Sequence, residues 1–245
     1  MPNFFVNKAN ISDGKVFIVG DDSRHISRSL RMAEGDMITV SDNEGRQFTA
    51  RLTKIRDEGC EGELESERFG YGESAVSVTL FMGYPKGDKL ELIVQKATEL
   101  GADAIIPFEQ KRCIKRPQSD KAEKISARLS RIAEEAAKQC SRSKIPKVSS
   151  AIKFSELKEQ VKDFDLALFC YERAPLESSF KKVLEGVNDS VKSIAVIVGC
   201  EGGFDTDEAE ILTSCGAIPI SLGERILRCE TAPDFILSAI AYRFS

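Results

Sequence analysis

The sequence predicts a small β-barrel of about 70 residues, followed by a larger α/β domain with a mainly parallel sheet. Short segments of alternating apolar and polar residues, separated by turns, fill the first part of the chain and favour a barrel. Beyond about residue 75, apolar segments of strand length alternate with helical patterns. That alternation is typical of a layered α/β fold.

The N-terminal strands are bounded by Asp-Gly, Gly-Asp and Asn-Glu-Gly turns. The clearest of them are Lys15–Val19, Met37–Val40 and Gln47–Ile55. Residues 21–32 interrupt this pattern and carry Arg24, Arg28 and Arg31 at positions i, i+4 and i+7. Because residues with this spacing share one side of a helix, we expect a basic helical face here.

Residues 65–74 lack a clear hydrophobic period and contain Gly70 and Gly72, which places the domain boundary there. We therefore expect one domain over residues 1–70 and a second over residues 75–245. The strands expected in the second domain are Val76–Phe81, Ala104–Phe108, Leu166–Cys170, Ile194–Val198 and Ala217–Ile220. The helices expected between them are 89–100, 120–140, 155–162, 205–215 and 231–242.

Composition is that of an ordinary globular protein, with 42% hydrophobic and 30% charged residues among 245. The chain has no apolar run of the ~18 residues needed to span a bilayer and no targeting leader, so we expect a soluble, cytoplasmic protein. Seven scattered cysteines without a CxxC pair predict neither disulfides nor a metal site. His25 is the single histidine, and we interpret it as a polar surface or interdomain residue rather than a general base.

Charge is unevenly distributed along the chain. Residues 111–147 contain 12 basic and 4 acidic residues, a net charge of +8, whereas the other 208 residues sum to −12. A solvated helix face is one interpretation of this basic segment. A phosphate-binding surface is the functional one.

Two loops are candidates for chemistry, because ligands of parallel sheets bind beyond the carboxyl ends of strands. Residues 199–203 read Gly-Cys-Glu-Gly-Gly and allow a ligand to approach the backbone closely. Asp205 and Glu208, just after them, have capping-box spacing. The alternative is an ordinary strand-to-helix turn.

The second loop, residues 221–231, places two arginines and two acids around Ile226 and Leu227 before an apolar helix. Charges so close to a forming core are unfavourable unless they are paired or used. A surface loop capped by Thr231 is the alternative interpretation.

Several familiar motifs are absent. No G-x-G-x-x-G follows the first strand of the α/β part, and residues 83–89 lack the Gly-Lys-Ser/Thr ending of a P-loop. There is no G-x-S-x-G elbow and no second histidine for a triad. Dinucleotide dehydrogenases, P-loop NTPases and triad hydrolases are therefore disfavoured.

In order and spacing, the chain resembles the RsmE family of 16S rRNA uridine N3-methyltransferases over nearly its whole length. The segments that carry the resemblance are Phe4–Val6, Arg24–Arg31 with Gly35 and Asp36, Gln95–Gly101, Glu135–Arg142, Gly199–Gly203 and, most specifically, Leu222–Ala232. Two positions depart from the family pattern. Cys200 replaces a usual proline, which we expect to loosen its loop, and Asn3 replaces an arginine, which removes one expected RNA contact.

The resemblance implies a PUA-like β-barrel over residues 1–70 and a SPOUT methyltransferase domain over residues 75–245 with a C-terminal trefoil knot. It also implies a homodimer, S-adenosylmethionine as cofactor, and uridine 1498 of 16S rRNA in the small subunit as target. The implied cofactor-binding residues are Phe169, Tyr171, Gly199, Glu201, Gly202, Gly203, Leu222, Gly223, Ile226, Leu227, Arg228 and Thr231.

Methylation of uridine N3 requires a flipped or unpaired base and spreads negative charge onto its carbonyl oxygens. Arg228 is the candidate that stabilises this charge. If residues 228–230 are extended, Glu230 points to the same side and either orients Arg228, which we favour, or accepts the proton. The expected RNA-binding residues are Arg24, Arg28, Arg31, Lys111, Arg112, Lys115, Arg116 and Arg142.

Two other functions remain open on the sequence. One keeps the fold but methylates another base or a ribose 2′-oxygen. The other is a noncatalytic RNA-binding or ribosome-assembly factor with vestigial cofactor loops, which the retained glycines and Arg228 argue against.

Overall fold

The computed structural model describes residues 1–114, 116, 119–188 and 190–244 of the chain. The chain divides into two compact units. Unit 1 comprises Met1–Glu73 and Ala137–Ile145, and unit 2 comprises Ser74–Ala136 and Pro146–Ser245. Each unit contains a β-sheet of its own.

Unit 1 is built on a curled sheet of six strands. These are β1 (Asn3–Phe5), β2 (Ile11–Ser12), β3 (Lys15–Val19), β4 (Met37–Ser41), β5 (Arg46–Lys54) and β6 (Gly59–Phe69). Their order is β1-β4-β5-β6-β3-β2, and all neighbours are antiparallel except the parallel pair β1–β4. Alternate side chains of these strands form one apolar core that includes Phe4, Ile18, Ile38 and Leu52. The β-rich N-terminal part predicted from the sequence is confirmed.

Strand β6 is longer than the sequence suggested. It continues to Phe69 through residues assigned to the domain boundary. Exposed charges conceal its period, since Glu65 and Glu67 form ion pairs across the strands with Arg51 and Arg46. The hydrophobic pattern is lost there because the end of the strand is exposed, and not because the strand has ended.

The expected helical face with three arginines is wrong. Helix α1 (Asp21–Arg24) has only four residues and passes into a wider π-helical turn over His25–Ser29. Arg31 lies beyond both in the left-handed region, with φ of 51°. A π-helical turn has a different period from an α-helix, so the i, i+4, i+7 spacing no longer places these side chains on one line.

The second segment of unit 1, residues 137–145, packs through polar contacts with the first. The Arg142 side chain is 3% exposed and pairs with Glu73 at 2.6 Å. Glu73 also accepts hydrogen bonds from the backbone N–H groups of Ser143 and Lys144, each at 3.0 Å. Asn3 is buried and donates to the Arg142 carbonyl at 3.0 Å. Asn3 and Arg142 therefore belong to an internal network, and Arg142 is not the surface phosphate contact that the sequence suggested.

Unit 2 is a layered α/β structure around a fully parallel sheet. Its strands are β7 (Ser77–Gly83), β8 (Ala104–Glu109), β9 (Lys147–Val148), β10 (Ile152–Lys153), β11 (Leu166–Cys170), β12 (Ser193–Val198) and β13 (Ile218–Ile220). The order is β10-β8-β7-β12-β11-β13, with β9 beside β8. The parallel α/β fold predicted from the alternating pattern is confirmed.

The helices of this part are α2 (Lys89–Glu99), α3 (Ala122–Gln139), α4 (Phe154–Gln160), α5 (Phe180–Glu185), α6 (Thr206–Ser214) and α7 (Thr231–Phe244). The last residues of α3, 137–139, are counted with unit 1. The predicted strands and helices are all present, with ends shifted by one or two residues. The sequence missed β9, β10 and α5, which are too short to show a period. Among the described residues, no helix is long and apolar enough to span a membrane.

Candidate active site

The two loops singled out in the sequence, which follow β12 and β13, and the loop after β11 lie at one edge of the sheet of unit 2. Strand β11 is paired in parallel with both β12 and β13, so the carboxyl ends of all three strands point the same way. The loop after β11 is joined directly to the end of β13, because the Tyr171 N–H donates to the Ile220 carbonyl at 3.1 Å. This is the edge at which ligands of open parallel sheets bind.

Residues 199–203, the glycine loop, follow β12 and are closed by a hydrogen bond from Gly203 N–H to the Cys200 carbonyl at 2.9 Å. Gly203 has φ of 62°, a conformation that favours glycine. A Cβ on Gly202 would lie 2.8 Å from the Arg112 Cβ, so a side chain does not fit there without a shift. The predicted capping box of Asp205 and Glu208 is confirmed and starts α6 directly after the loop.

Two residues that the sequence did not indicate, Gln110 and Gly83, contact the backbone of the glycine loop. The Gln110 amide accepts from the Cys200 N–H at 3.0 Å and donates to the Gly203 carbonyl at 2.7 Å. Gly83, at the end of β7, is in close contact with both Gln110 and the loop backbone. A proline at position 200 could not donate this hydrogen bond. The expectation that Cys200 loosens the loop is therefore incomplete, because its N–H also attaches the loop to Gln110.

Cys200 also contacts a second thiol. It is buried and hydrogen-bonds to Cys113, which is buried as well. This hydrogen bond lowers the pKa of Cys200 to about 7, whereas the same bond and burial raise the pKa of Cys113. Among the described residues, no group of acids, histidines and cysteines forms a metal site.

A lysine at the start of α2 connects the glycine loop to the loop after β13. Lys89 Nζ lies 3.3 Å from Glu201 and 2.9 Å from Glu230, and all three side chains are less than one-third exposed. The hydrogen bond from Lys89 lowers the pKa of Glu230 to about 2. Glu230 is therefore a carboxylate at neutral pH and a weak base. The sequence alone does not indicate this role of Lys89, because its partners lie more than 100 residues away along the chain.

Residues 221–230, the arginine loop, run from the end of β13 to the start of α7. The extended geometry considered for residues 228–230 is wrong, because Cys229 and Glu230 form a turn whose first carbonyl, that of Arg228, accepts from the N–H of Thr231 at 2.9 Å. Glu230 pairs with Lys89, and not with Arg228. Within the described part of the chain, no hydrogen bond or ion pair is formed by the exposed guanidinium of Arg228.

The apolar residues of these loops differ in exposure. Ile226 is 87% exposed, and Leu222 and Leu227 are half-buried. Phe169, by contrast, is completely buried and packs edge-on against Phe204 in the core, so its ring is not available to a ligand. The assignment of Phe169 as a cofactor contact is thus restricted to its backbone.

The basic residues expected to bind RNA are partly engaged within unit 2. Lys111 pairs with Asp205 at 3.1 Å and with Asp207 at 2.6 Å, and Arg112 donates to the Gly202 carbonyl at 3.0 Å. Arg116 is exposed, whereas Lys115 lies outside the described residues. In unit 1, Arg24 pairs with Asp21 and Arg28 with Asp57, all at the surface.

Comparison with known proteins identifies related chains. The sequence profile of an RNA methyltransferase domain matches residues 72–241, and that of an RNA methyltransferase PUA domain matches residues 18–65. The chain is 34% identical to the ribosomal RNA small subunit methyltransferase E of Bacillus subtilis, covering 99% of this chain and 97% of that one. It is 33% identical to the protein of the same name from Synechocystis, covering 94% and 74%.

A solved structure of a related protein superposes on this chain over nearly its whole length. The ribosomal RNA small subunit methyltransferase E of Neisseria gonorrhoeae, crystallised with S-adenosylmethionine, superposes with a TM-score of 0.84 at 30% identity. The superposition covers 99% of this chain and 97% of that one.

Proposed function

Because the chain belongs to the ribosomal RNA small subunit methyltransferase E family, we propose that it methylates N3 of uridine 1498 in 16S rRNA with S-adenosylmethionine. The observation that carries the proposal is the convergence of the glycine loop and the arginine loop at one sheet edge, with the Arg228 guanidinium exposed there. Such an arginine is available to a substrate without first breaking an internal ion pair.

The residues at this edge suit S-adenosylmethionine. Gly202 and Gly223 lie at the surface, so their backbone groups are accessible to a ligand, and Gly223, with φ of 113°, has open space where a side chain would be. Gly199, which is buried, and Gly203, which is half-buried, are proposed to contribute backbone contacts. Leu222, Ile226 and Leu227 offer apolar surface for the adenosine portion. When bound, the cofactor supplies an electrophilic methyl group. The other residues proposed to hold it are Tyr171, Glu201, Arg228, Thr231 and the backbone of Phe169.

Arg228 is proposed to act on the uracil. As N3 loses its proton to solvent, negative charge develops on the two flanking carbonyl oxygens, and a guanidinium fixed beside them stabilises that charge more than the neutral base. The turn at Cys229 and Glu230 and the bond from Thr231 N–H to the Arg228 carbonyl fix the backbone from which this side chain extends.

Glu230 is proposed to position residues rather than to take the proton. Its carboxylate is held by Lys89, which at the same time contacts Glu201 in the glycine loop. The ion pair therefore connects the two loops to the start of α2. A carboxyl with pKa of about 2 would gain little by accepting a proton at neutral pH.

RNA binding is proposed for the exposed basic residues Arg24, Arg28, Arg31, Lys111, Arg112 and Arg116, and for Lys115, which lies outside the described residues. Unit 1 is proposed to act as a PUA-like RNA-binding domain. Several of them form ion pairs at the protein surface, such as Arg28 with Asp57, where Arg28 is 68% exposed. Exposed ion pairs contribute little to the stability of the folded protein, so an RNA phosphate can replace the carboxylate with little loss of free energy.

We propose a homodimer formed through α7. Its buried face contains Ile236, Leu237 and Ile240, yet Phe235 and Tyr242, seven residues apart on another face, are 48% and 89% exposed. A helix that is apolar on more than one face is typical of burial on both sides. A second copy of the chain is the partner proposed for the outer face.

A trefoil knot is proposed for the SPOUT domain, residues 75–245. The Ser221 backbone exchanges hydrogen bonds with Ser178 and Phe180 in the connection between β11 and β12. The arginine loop then leads to α7, which packs against α2, β12 and, through Phe235, the Phe180 ring. This path, from the edge strand past an earlier connection to the middle of the sheet, supports the knot.

Methyl transfer to small ribosomal subunits tests the function, and a cytoplasmic location follows from that substrate. Purified protein and labelled S-adenosylmethionine are incubated with subunits that lack the modification and, in parallel, with naked 16S rRNA. Digestion to nucleosides and mass spectrometry should give N3-methyluridine. A 2′-O-methylated or different base product would overturn the assigned reaction, and no transfer to either RNA would favour a noncatalytic factor.

A further inference from the structure

The glycine loop is fastened at two points by one buried side chain. Gln110 directly follows β8 and is 4% exposed. Its Oε1 accepts from the Cys200 N–H at 3.0 Å, and its Nε2 donates to the Gly203 carbonyl at 2.7 Å. One amide thus connects the second and fifth residues of the loop to the neighbouring part of the sheet.

The space for this amide is created by a glycine. A Cβ on Gly83 would lie 2.2 Å from Gln110 Oε1 and 2.4 Å from the Cys200 nitrogen. No real Cβ atom approaches that closely, so the close packing of β7, Gln110 and the loop requires glycine at position 83. The three segments are therefore packed tightly against one another, and the hydrogen bonds of Gln110 are buried rather than at the surface.

Residues next to Gln110 continue the contact. The Lys111 N–H donates to Glu208 Oε1 at 2.8 Å, while Glu208 Oε2 accepts from the Asp205 N–H at 3.0 Å within the capping box of α6. Arg112 donates to the Gly202 carbonyl at 3.0 Å. Residues 110–112 therefore support both the glycine loop and the start of the helix that follows it.

We infer that Gln110 is a positioning residue that holds the glycine loop in the conformation that binds S-adenosylmethionine. This inference rests on the proposed function. Three of the five loop residues are glycines, so the loop would lose much backbone freedom on binding a ligand. Fixing the N–H of its second residue and the carbonyl of its last residue beforehand reduces that loss, which strengthens binding without any contact between Gln110 and the cofactor.

The test compares two buried glutamines. Gln110→Met keeps a side chain of similar size but removes both hydrogen bonds. The matched control is Gln47→Met in unit 1, since Gln47 is 1% exposed and its amide bonds to Ser41, Ser141 and Arg68. Both variants should unfold at lower temperature than wild type, and calorimetry with S-adenosylhomocysteine is performed well below both transitions.

We expect S-adenosylhomocysteine to bind Gln110→Met at least tenfold more weakly than wild type, about 1.4 kcal/mol, and to bind Gln47→Met within twofold of wild type. In methylation assays, Gln110→Met should raise the KM for S-adenosylmethionine by more than it lowers kcat. Equal losses of affinity in both variants would show that general destabilisation is the cause, and would overturn the inference.

A second variant covers the case in which Gln110→Met does not fold. In Gln110→Glu, a carboxylate accepts from Cys200 N–H but repels the Gly203 carbonyl, whereas the protonated acid can accept and donate as glutamine does. Affinity relative to wild type should therefore recover as pH is lowered from 8 to 5.5. Measuring the ratio at each pH corrects for the titratable groups around the position, among them Cys113, Cys200, Glu172, Glu201 and Glu208.

Wild-type affinity in Gln110→Glu at every pH would contradict the positioning role. Failure of wild-type protein to bind S-adenosylhomocysteine would instead refute the proposed function, and the inference with it. The two failures are distinguishable, because the first is measured against a wild-type protein that binds.

Discussion

At the residue scale, the two charged side chains near the end of the arginine loop, Arg228 and Glu230, lie in different environments. Glu230 is engaged with Lys89, and Arg228 is exposed beside it. The sequence identified both residues because two arginines and two acids crowd a short loop, but it could not supply Lys89, which lies 141 residues away. Gln110 and Gly83 were missed for the same reason, since their role depends on contacts with a distant loop.

Replacing Arg228 should affect turnover and leave the fold intact. We expect Arg228→Ala to lower kcat about 100-fold or more, because the charge on the uracil oxygens loses its stabilising guanidinium. S-adenosylhomocysteine affinity should change by only a few-fold. Arg225→Ala is the matched control, as Arg225 is an exposed arginine of the same loop. Equal turnover in Arg228→Ala and wild type would remove Arg228 from the mechanism.

Glu230→Gln should distinguish positioning from base catalysis. Because the Glu230 pKa is about 2, the group stays ionised over the whole working range and adds no step to the pH–rate profile. We therefore expect the profile of kcat between pH 6 and 9 to keep its shape, with a loss of less than about 100-fold. A larger loss together with a vanished pH dependence would identify Glu230 as the proton acceptor.

The same carboxyl should contribute to stability as a function of pH. Its pKa is depressed in the folded state, so the stabilisation is present above the ordinary value of 4.5 and is lost as pH falls toward about 2. Between pH 5 and 2.5, chemical denaturation should show a greater loss in the free energy of unfolding for wild type than for Glu230→Gln. Parallel curves would mean that the ion pair with Lys89 does not form in solution.

At the element scale, the hydrophobic period of the sequence was sufficient to predict the long, buried helices and strands, but it did not predict the short or exposed ones. The parallel strands and long helices of unit 2 were predicted to within two residues, because each buries an apolar face. The end of β6 and the π-helical turn after α1 were not, since cross-strand ion pairs conceal the first and no sequence pattern marks the second. Nothing in the sequence indicated that residues 137–145 pack with unit 1.

That packing gives Arg142 a structural role. We expect Arg142→Met to lower the free energy of unfolding of unit 1 by about 3 kcal/mol, because it leaves the buried Glu73 carboxylate without its positively charged partner. Denaturant titration measures this loss. Arg24→Met, at an exposed arginine, is the control and should be nearly neutral for stability. Similar stability of the two variants would contradict a structural role for Arg142.

At the scale of the whole molecule, the basic residues are concentrated in one segment of the sequence, but acidic partners and burial reduce the positive charge that this segment exposes. Residues 111–147 carry +8, yet Lys111 and Arg112 contact the acidic start of α6, and Arg142 is buried. The resemblance to a family predicted the chemistry, whereas composition alone would have overestimated the basic surface. Which side chains remain free for RNA could be decided only from the contacts.

One measurement tests the central claim most directly, namely that this protein methylates N3 of uridine 1498. Unmodified small subunits are treated with the protein, with or without S-adenosylmethionine, and their 16S rRNA is copied by reverse transcriptase. A methyl group on N3 occupies the position that pairs with adenine, so synthesis should stop next to uridine 1498 only when the cofactor is present. Full-length products in both reactions, or a stop at another position, would contradict the account.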